Sequence, residues 1–71
     1  MQLYRLDSDS GPVCDLLRPR LFRTHTTARA SGLDAAAERS EPVTLTTITR
    51  NGRLRSDLII HPDGRCKRLT N

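Results

Sequence analysis

Apolar and polar residues alternate in two parts of the chain, and this alternation predicts β-strands. From Gln2 to Leu6 the alternation predicts a short opening strand, with Leu3 and Arg5 on one side and Tyr4 on the other. The segment from Val43 to Leu69 contains three further strand candidates separated by turn residues. This C-terminal part is therefore predicted to be an antiparallel β-meander.

The first turn of the meander sets the register of its first hairpin. Asn51-Gly52 is a strong signal for a two-residue type I′ turn, which would place Arg50 opposite Arg53. The facing pairs on one side of the hairpin would then be Val43 with Ile60, Leu45 with Leu58, Thr47 with Ser56, and Thr49 with Leu54. Because this register collects the apolar residues on one face, the turn and the hydrophobic pattern agree.

The second turn is predicted from Pro62-Asp63-Gly64. These residues suit a three-residue loop, a type I turn followed by glycine in the left-handed region. In that register Cys66 lies on the apolar face and Leu69 on the opposite face. A two-residue loop would exchange these two assignments.

A helix is predicted between Thr26 and Ser40, where Ala30, Leu33 and Ala37 share one face. Its start has two alternatives: a cap at Thr26 or Thr27, or a capping box that begins at Ser31 and starts a shorter helix at Gly32. Pro42 requires the helix to end by Ser40.

Two segments before the helix are less regular. The turn formers from Asp7 to Pro12 are predicted to form a loop. From Val13 to Arg23 the pattern is undecided, since Val13, Leu16 and Leu17 have helical spacing whereas Leu21 and Phe22 suit an edge strand. The whole chain is therefore predicted to be one small α+β domain, in the order β-α-β-β-β, with one Ala-rich helix on an antiparallel sheet of three or four strands.

Charge changes the picture, because the net charge of +4 is unevenly distributed. Acidic and basic residues balance up to residue 42, so the whole excess lies in the C-terminal segment. The residues predicted to bind a partner there are Arg50, Arg53, Arg55, Arg65, Lys67, Arg68, Ile48 and Ile59. In the two-residue-turn register, the outer face of the first hairpin carries threonines, both isoleucines, Arg50, Arg53, Arg55 and Asp57, with Lys67 from the last strand. Exposed arginine also suits an ordinary strand surface, but two isoleucines on a solvent face need a cover or a partner.

The candidate chemistry indicates binding rather than catalysis. Cys14, Cys66, His25 and His61 lack the close spacing of zinc ligands, and no motif joins a nucleophile to a base, so we expect no metal, no cofactor and no enzymatic activity. The longest apolar runs are far shorter than a membrane span of about 20 residues. Two cysteines and no signal-peptide pattern make the cytoplasm the expected compartment, and the sequence leaves open whether Cys14 and Cys66 are paired.

In three sequence features the chain resembles small phage or mobile-element proteins of the anti-CRISPR inhibitor type. These features are the Ala-rich segment from Ala28 to Arg39, the hairpin Thr46-Thr47-Ile48-Thr49-Arg50-Asn51-Gly52, and the turn His61-Pro62-Asp63-Gly64-Arg65. The likeness is one of architecture and covers the C-terminal two thirds of the chain. It implies inhibition without catalysis, by docking on a nuclease or guide-RNA complex.

The sequence therefore predicts a protein that docks on an acidic protein or nucleoprotein surface through a basic sheet face. The alternatives are a non-specific nucleic-acid binder and a homodimer that covers Ile48 and Ile59. Single-stranded nucleic acid is the less favoured partner, because the predicted face carries no aromatic residue for base stacking.

Overall fold

The computed structural model describes residues 2–15 and 18–69. The strands are β1 (Leu3–Ser8), β2 (Gly11–Pro12), β3 (Cys14–Asp15), β4 (Arg18–Pro19), β5 (Leu21–Phe22), β6 (Val43–Ile48), β7 (Leu54–Ile60) and β8 (Cys66–Arg68), and one helix, α1 (His25–Arg39), lies between β5 and β6. This confirms the predicted α+β class, with one helix and an antiparallel sheet.

The main sheet has the strand order β2-β1-β6-β7-β8, and all of its pairs are antiparallel. The short strand β5 also pairs with β1, and β3 and β4 form a separate two-stranded hairpin. Strand β6 is central, and α1 packs on β1, β6 and β7. We call the side of the sheet that α1 covers the helix face and the other side the outer face.

The core fills the space between α1 and the helix face. Its buried apolar residues are Leu6, Phe22, Ala28, Ala35, Ala36, Val43, Leu45, Leu58 and Ile60. Gly32 is also buried, and it lies so close to the sheet that a β-carbon at this position would overlap the Cδ1 of Ile60 and lie 3.2 Å from the Cδ2 of Leu6. The glycine therefore lets the helix approach the sheet closely, which accounts for its place inside a helix despite its low propensity.

The helix differs from both predicted starts. It begins earlier, at His25, and its N-cap is Thr24, whose side chain accepts a hydrogen bond from the backbone N–H of Thr27. The Ser31 capping box is therefore wrong. The helix ends at Arg39, and the C-cap Ser40 has a left-handed φ of 55°, so the predicted end is confirmed.

The predicted apolar face of the helix is confirmed at Leu33, which packs against the core, and is wrong at its two alanines. Ala28, Ala35 and Ala36 are buried, whereas Ala30 and Ala37 are exposed. Alanines lie on several sides of this helix, so their spacing alone does not select the buried one.

The segments before the helix form more strand than predicted. Strand β1 continues to Ser8, and the predicted loop from Asp7 to Pro12 is a tight hairpin in which Asp7 pairs with Pro12 and Ser8 with Gly11. Leu21 and Phe22 form the edge strand β5. The predicted helical spacing of Val13 with residues 16 and 17 falls partly outside the described residues.

Both ends of the meander have the predicted register. Leu45 pairs with Leu58 and Val43 with Ile60, as predicted. At the second turn, His61 donates its N–H to the Arg65 carbonyl (2.7 Å) and Gly64 has a φ of 94°, which confirms the three-residue loop. Cys66 packs against the core as predicted, and both Cys14 and Cys66 are free thiols.

Candidate partner-binding surfaces

The Asn-Gly turn of the first hairpin is one residue longer than predicted. Thr49 donates its N–H to the Arg53 carbonyl (2.9 Å), and Gly52 donates to the Thr49 carbonyl (2.9 Å). Gly52 has a φ of 80°, whereas Asn51 does not have the positive φ that a type I′ turn requires. The loop is therefore Arg50-Asn51-Gly52, a type I turn followed by a left-handed glycine, and the predicted type I′ turn is wrong.

A β-bulge in β7 compensates for the longer loop. The register shifts between Leu45 and Thr46, so that Leu45 faces Leu58 but Thr46 faces Ser56, and Asp57 is the extra residue. Between the loop and the bulge, the two faces of β7 are consequently exchanged relative to the prediction. Arg55 pairs with Thr47 instead of facing outward, and Leu54 pairs with Ile48 instead of facing the core.

The exchange divides the predicted basic face. Tyr4 pairs with Thr47 and its ring meets the His25 ring of α1 edge-on, so Thr47 and its other neighbour Arg55 belong to the helix face. Alternation places Arg53 on the same face, and pairing with Leu58 places Arg68 there as well. The prediction that Arg53 and Arg55 share a face with Ile48 and Ile59 is wrong.

We call Arg53, Arg55 and Arg68 the arginine strip. All three are exposed, and within the described part of the chain none of their guanidinium groups forms a salt bridge or a hydrogen bond. The acid at the bulge, Asp57, instead has its Oδ2 3.6 Å from the Nε2 of His25 at the start of α1. The strip therefore keeps its positive charge without a local counter-ion among these residues.

The remaining predicted binding residues have other places. Arg50 is exposed in the loop beside the strip. Arg65 flanks the second loop, where its Nε lies 2.7 Å from Asp63 Oδ2. The backbone N–H of Arg65 donates to Asp63 as well, and this hydrogen bond is the main reason that the pKa of Asp63 is lowered.

The outer face retains Ile48, Ile59, Lys67 and Leu69, as predicted, and gains Leu3, Leu21 and Leu54, which sequence reasoning did not place there. Pairing of Leu3 and Leu54 with Ile48 places both leucines on this face. Leu21 pairs with Arg5, which places it there too. Leu69 continues the alternation after Lys67, and its N–H bonds to the Asp57 carbonyl.

The three large apolar side chains that are exposed in the described chain all belong to this outer face. They are Leu21 (50%), Leu54 (57%) and Leu69 (37%). Ile48 and Ile59 are half-buried between them. One signal for this face was available in the sequence, since Leu58-Ile59-Ile60 breaks strict alternation and is compatible with apolar residues on both sides of the sheet.

One end of the outer face is acidic and grooved. A cavity of about 370 Å³ lies there, lined by Asp7, Ser8, Asp9, Pro42, Thr44 and Ile59. Asp7 also accepts a hydrogen bond from Arg5 Nε (3.0 Å). The groove is continuous with the apolar surface, because Thr44 and Ile59 are neighbouring outer-face residues.

The tie between the helix end and the first turn is structural. Arg39 donates from Nη1 to Ser8 Oγ (2.8 Å) and to the Gly11 carbonyl (2.7 Å), and from Nη2 to the Pro12 carbonyl (3.3 Å). Because the Arg39 guanidinium donates these hydrogen bonds within the chain, it is not available to contact a partner at either candidate surface.

Metal binding and a membrane-spanning helix have little basis in the described residues. Residues 2–15 and 18–69 hold no group of three or more His, Cys, Asp or Glu side chains placed to bind a metal ion. No helix in these ranges is both long and apolar enough to cross a membrane. No protein family, curated protein or solved structure matches the chain. The two surfaces are thus the basis for a functional proposal.

Proposed function

We propose that this chain is a non-enzymatic binding protein that docks on an acidic protein surface through the arginine strip. The observation that carries the proposal is the register of β7 and β8, which places Arg53, Arg55 and Arg68 on one face, exposed and without ion-pair partners among the described residues. The segment that holds the strip also holds the whole excess charge of the chain.

The chemistry of the strip suits carboxylates. A guanidinium is planar, permanently charged and able to donate two parallel hydrogen bonds to one carboxylate or phosphate. Alternate residues of a strand lie about 7 Å apart, so Arg53 and Arg55 present two such groups in one line. The strip contacts an extended acidic segment more readily than a single small anion.

Nucleic acid is the second candidate, since phosphate offers the same charge. Two features favour protein instead. Phe22 is buried and Tyr4 is packed against His25, so neither ring is available beside the strip as a stacking platform for bases. The exposed side of α1 carries Arg29 together with Asp34 and Glu38, so it presents no basic face to a groove.

The resemblance to anti-CRISPR inhibitors adds a more specific proposal. Inhibition would follow if the strip occupied a surface of a nuclease or guide-RNA complex and excluded its normal ligand. Cytoplasmic location belongs to the same proposal. Its support is the shared architecture of a helix followed by a β-meander.

The test compares two charge-neutralised variants of equal net charge. Arg53 and Arg55 are replaced by Gln in one, and Arg18 and Arg20, near the opposite edge of the sheet, are replaced by Gln in the other. Each is titrated against a labelled polyglutamate peptide and against single- and double-stranded oligonucleotides of DNA and RNA, at several salt concentrations. Urea unfolding of both variants controls for the loss of the contact between Arg20 and the Phe22 ring (4.9 Å).

We expect polyglutamate binding to weaken by at least about 10-fold in the Arg53/Arg55 variant and by less than about 3-fold in the control, because charged contacts contribute about 1.5–3 kcal/mol each at best and exposed ones less. Strip-dependent binding to oligonucleotides alone would support the nucleic-acid function, with the salt slope falling by about 2 for two lost phosphate contacts. Equal behaviour of the two variants with every probe would overturn the assignment of the strip.

A further inference from the structure

The structure assigns a second interaction surface, on the side of the sheet opposite to the arginine strip. We infer that two copies of the chain pack outer face to outer face, related by a two-fold axis that runs along the central strand β6. The inference is independent of the proposed function, because the two surfaces share no residue.

The first argument is the pattern of apolar residues. Pairing across the sheet arranges the outer face in transverse rows, of which one contains Leu3, Ile48 and Leu54. A two-fold axis along β6 lays β1 of one copy over β7 of the other. Ile48 then meets Ile48 of the second copy, and Leu3 meets its Leu54.

The neighbouring transverse row of the outer face also matches apolar residues of the two copies. It runs from Leu21 through Arg5, Thr46 and Ser56 to the level of Leu69. The same axis lays Leu21 over Leu69 of the second copy, so the three most exposed apolar side chains all gain an apolar partner. An outer face that matches itself in this way is what an isologous interface requires.

The charges agree with this axis. Asp7 lies on β1, and Asp9 follows it in the turn at the same edge, whereas Lys67 lies on the opposite edge strand β8. The axis along β6 brings Lys67 of one copy beside the acidic edge of the other. The same axis lays Asp7 over Ile59 and Arg5 over Ser56 of the second copy, and the hydrogen bond from Arg5 Nε to Asp7 Oδ2 (3.0 Å) pairs these two charges with each other.

The size of the face is sufficient for a dimer of modest affinity. The strands of the main sheet contain 26 residues, which at about 3.3 Å per residue and about 4.8 Å between strands give a projected area of about 400 Å² per copy, in the size range of weak complexes. The two sheets would face each other at about 10 Å with their strands about 30° apart, as in other β-sandwiches.

The first experiment measures association directly. Sedimentation equilibrium of the full chain, from micromolar to millimolar concentration, should show a monomer–dimer equilibrium. Leu54→Lys, at a side chain that is 57% exposed, should weaken dimerisation by at least about 10-fold, because it buries a charge opposite Leu3. Ala30→Lys, on the exposed side of the helix, adds the same charge and should leave the equilibrium unchanged.

A matched pair of neutralisations tests the charge pattern. Lys67→Gln should weaken the dimer by about 3-fold, whereas Arg68→Gln removes one positive charge at the next residue, on the helix face, and should have no effect. Asp7→Asn should cost no further affinity in the Lys67→Gln background, since each substitution removes the same contact.

Cross-linking tests the axis. Both native cysteines are first removed by Cys14→Ser and Cys66→Ala. The new cysteines are then joined by a short bismaleimide, because a disulfide is too short to span two sheets about 10 Å apart. Ile48→Cys should cross-link to itself. Leu54→Cys should react poorly alone but cross-link when mixed with the Leu3→Cys chain.

A chain that stays monomeric at millimolar concentration would overturn the inference. So would a dimer that Leu54→Lys leaves intact, or cross-linking of Leu54→Cys to itself in preference to Leu3→Cys. The strip variant Arg53→Gln/Arg55→Gln should dimerise normally, so failure of the dimer and failure of the proposed function are distinguishable.

Discussion

Replacing Thr47 by Val should stabilise the protein, because the Thr47 hydroxyl is buried without a hydrogen-bond partner. Thr47 lies on the central strand β6, is 1% exposed, and its Oγ1 has neither a protein partner nor contact with solvent. Leaving such a group unsatisfied costs about 1–3 kcal/mol, and valine replaces the hydroxyl by a methyl group of similar size. We expect a gain of about 1 kcal/mol in the free energy of unfolding, which raises the Tm by about 4–8 °C for a domain of this length.

The control is the same substitution two residues further along the chain. The Thr49 hydroxyl accepts a hydrogen bond from the backbone N–H of Arg53 (3.1 Å) at the hairpin loop. Thr49→Val removes that bond and should destabilise the fold by about 0.5–1.5 kcal/mol. Since both changes replace Thr by Val in or beside the same strand, differences in β-propensity largely cancel.

The assay is urea unfolding followed by circular dichroism, with the m-value checked for constancy. Opposite signs for the two variants are the expected outcome. If Thr47→Val were neutral or destabilising at an unchanged m-value, the Thr47 hydroxyl would have a native partner, and the reasoning from its burial would be refuted.

Three further outcomes are expected. Thr24→Ala should cost about 1 kcal/mol in urea unfolding, whereas Ser31→Ala should change stability by less than about 0.5 kcal/mol, because Thr24 and not Ser31 caps the helix. Arg50→Pro should be neutral or stabilise by up to about 1 kcal/mol, since proline suits the second position of a type I turn; a loss of more than about 2 kcal/mol would favour the two-residue turn. Asp63 has a lowered pKa, so the stabilisation lost in Asp63→Asn should be present above pH 3.8 and vanish as the pH falls through the lower folded pKa. A difference between wild type and variant that persists in acid, measured by unfolding across pH, would contradict the role of its hydrogen bond with Arg65.

Local patterns were sufficient to predict much of the fold. Leu45 and Val43 find their predicted partners in β7 because apolar residues opposite one another are buried together. The loop at Pro62-Asp63-Gly64 was predictable because its glycine supplies the left-handed conformation that the third position needs. The buried side of the helix was not predictable, since alanines lie on several of its sides. The side that faces the sheet is set by the close approach of Gly32 to Ile60.

The candidate surfaces were predictable in composition but not in position. Asn51-Gly52 suits a two-residue loop and also the last two positions of a three-residue loop, so the dipeptide does not decide the loop length. No local signal marks Asp57 as the bulge. Without the loop length and the bulge, the sequence does not determine whether Arg55 or Leu54 faces the helix.

The three-residue loop and the bulge at Asp57 shift the register of β7 against β6 by one residue each, in opposite directions. The loop moves the pairing by one residue, the bulge moves it back, and only residues 53–56 between them lie in the altered frame. If Asn51-Gly52 alone formed the loop, Arg50 would pair with Arg53 and Asp57 with Thr46, and a continuous ladder would turn Leu54 inward and Arg53 and Arg55 outward. A change of loop type, without insertion or deletion, would thus exchange an apolar interface for a basic one while leaving the Leu45–Leu58 register intact, so this hairpin offers evolution a short route between two kinds of partner.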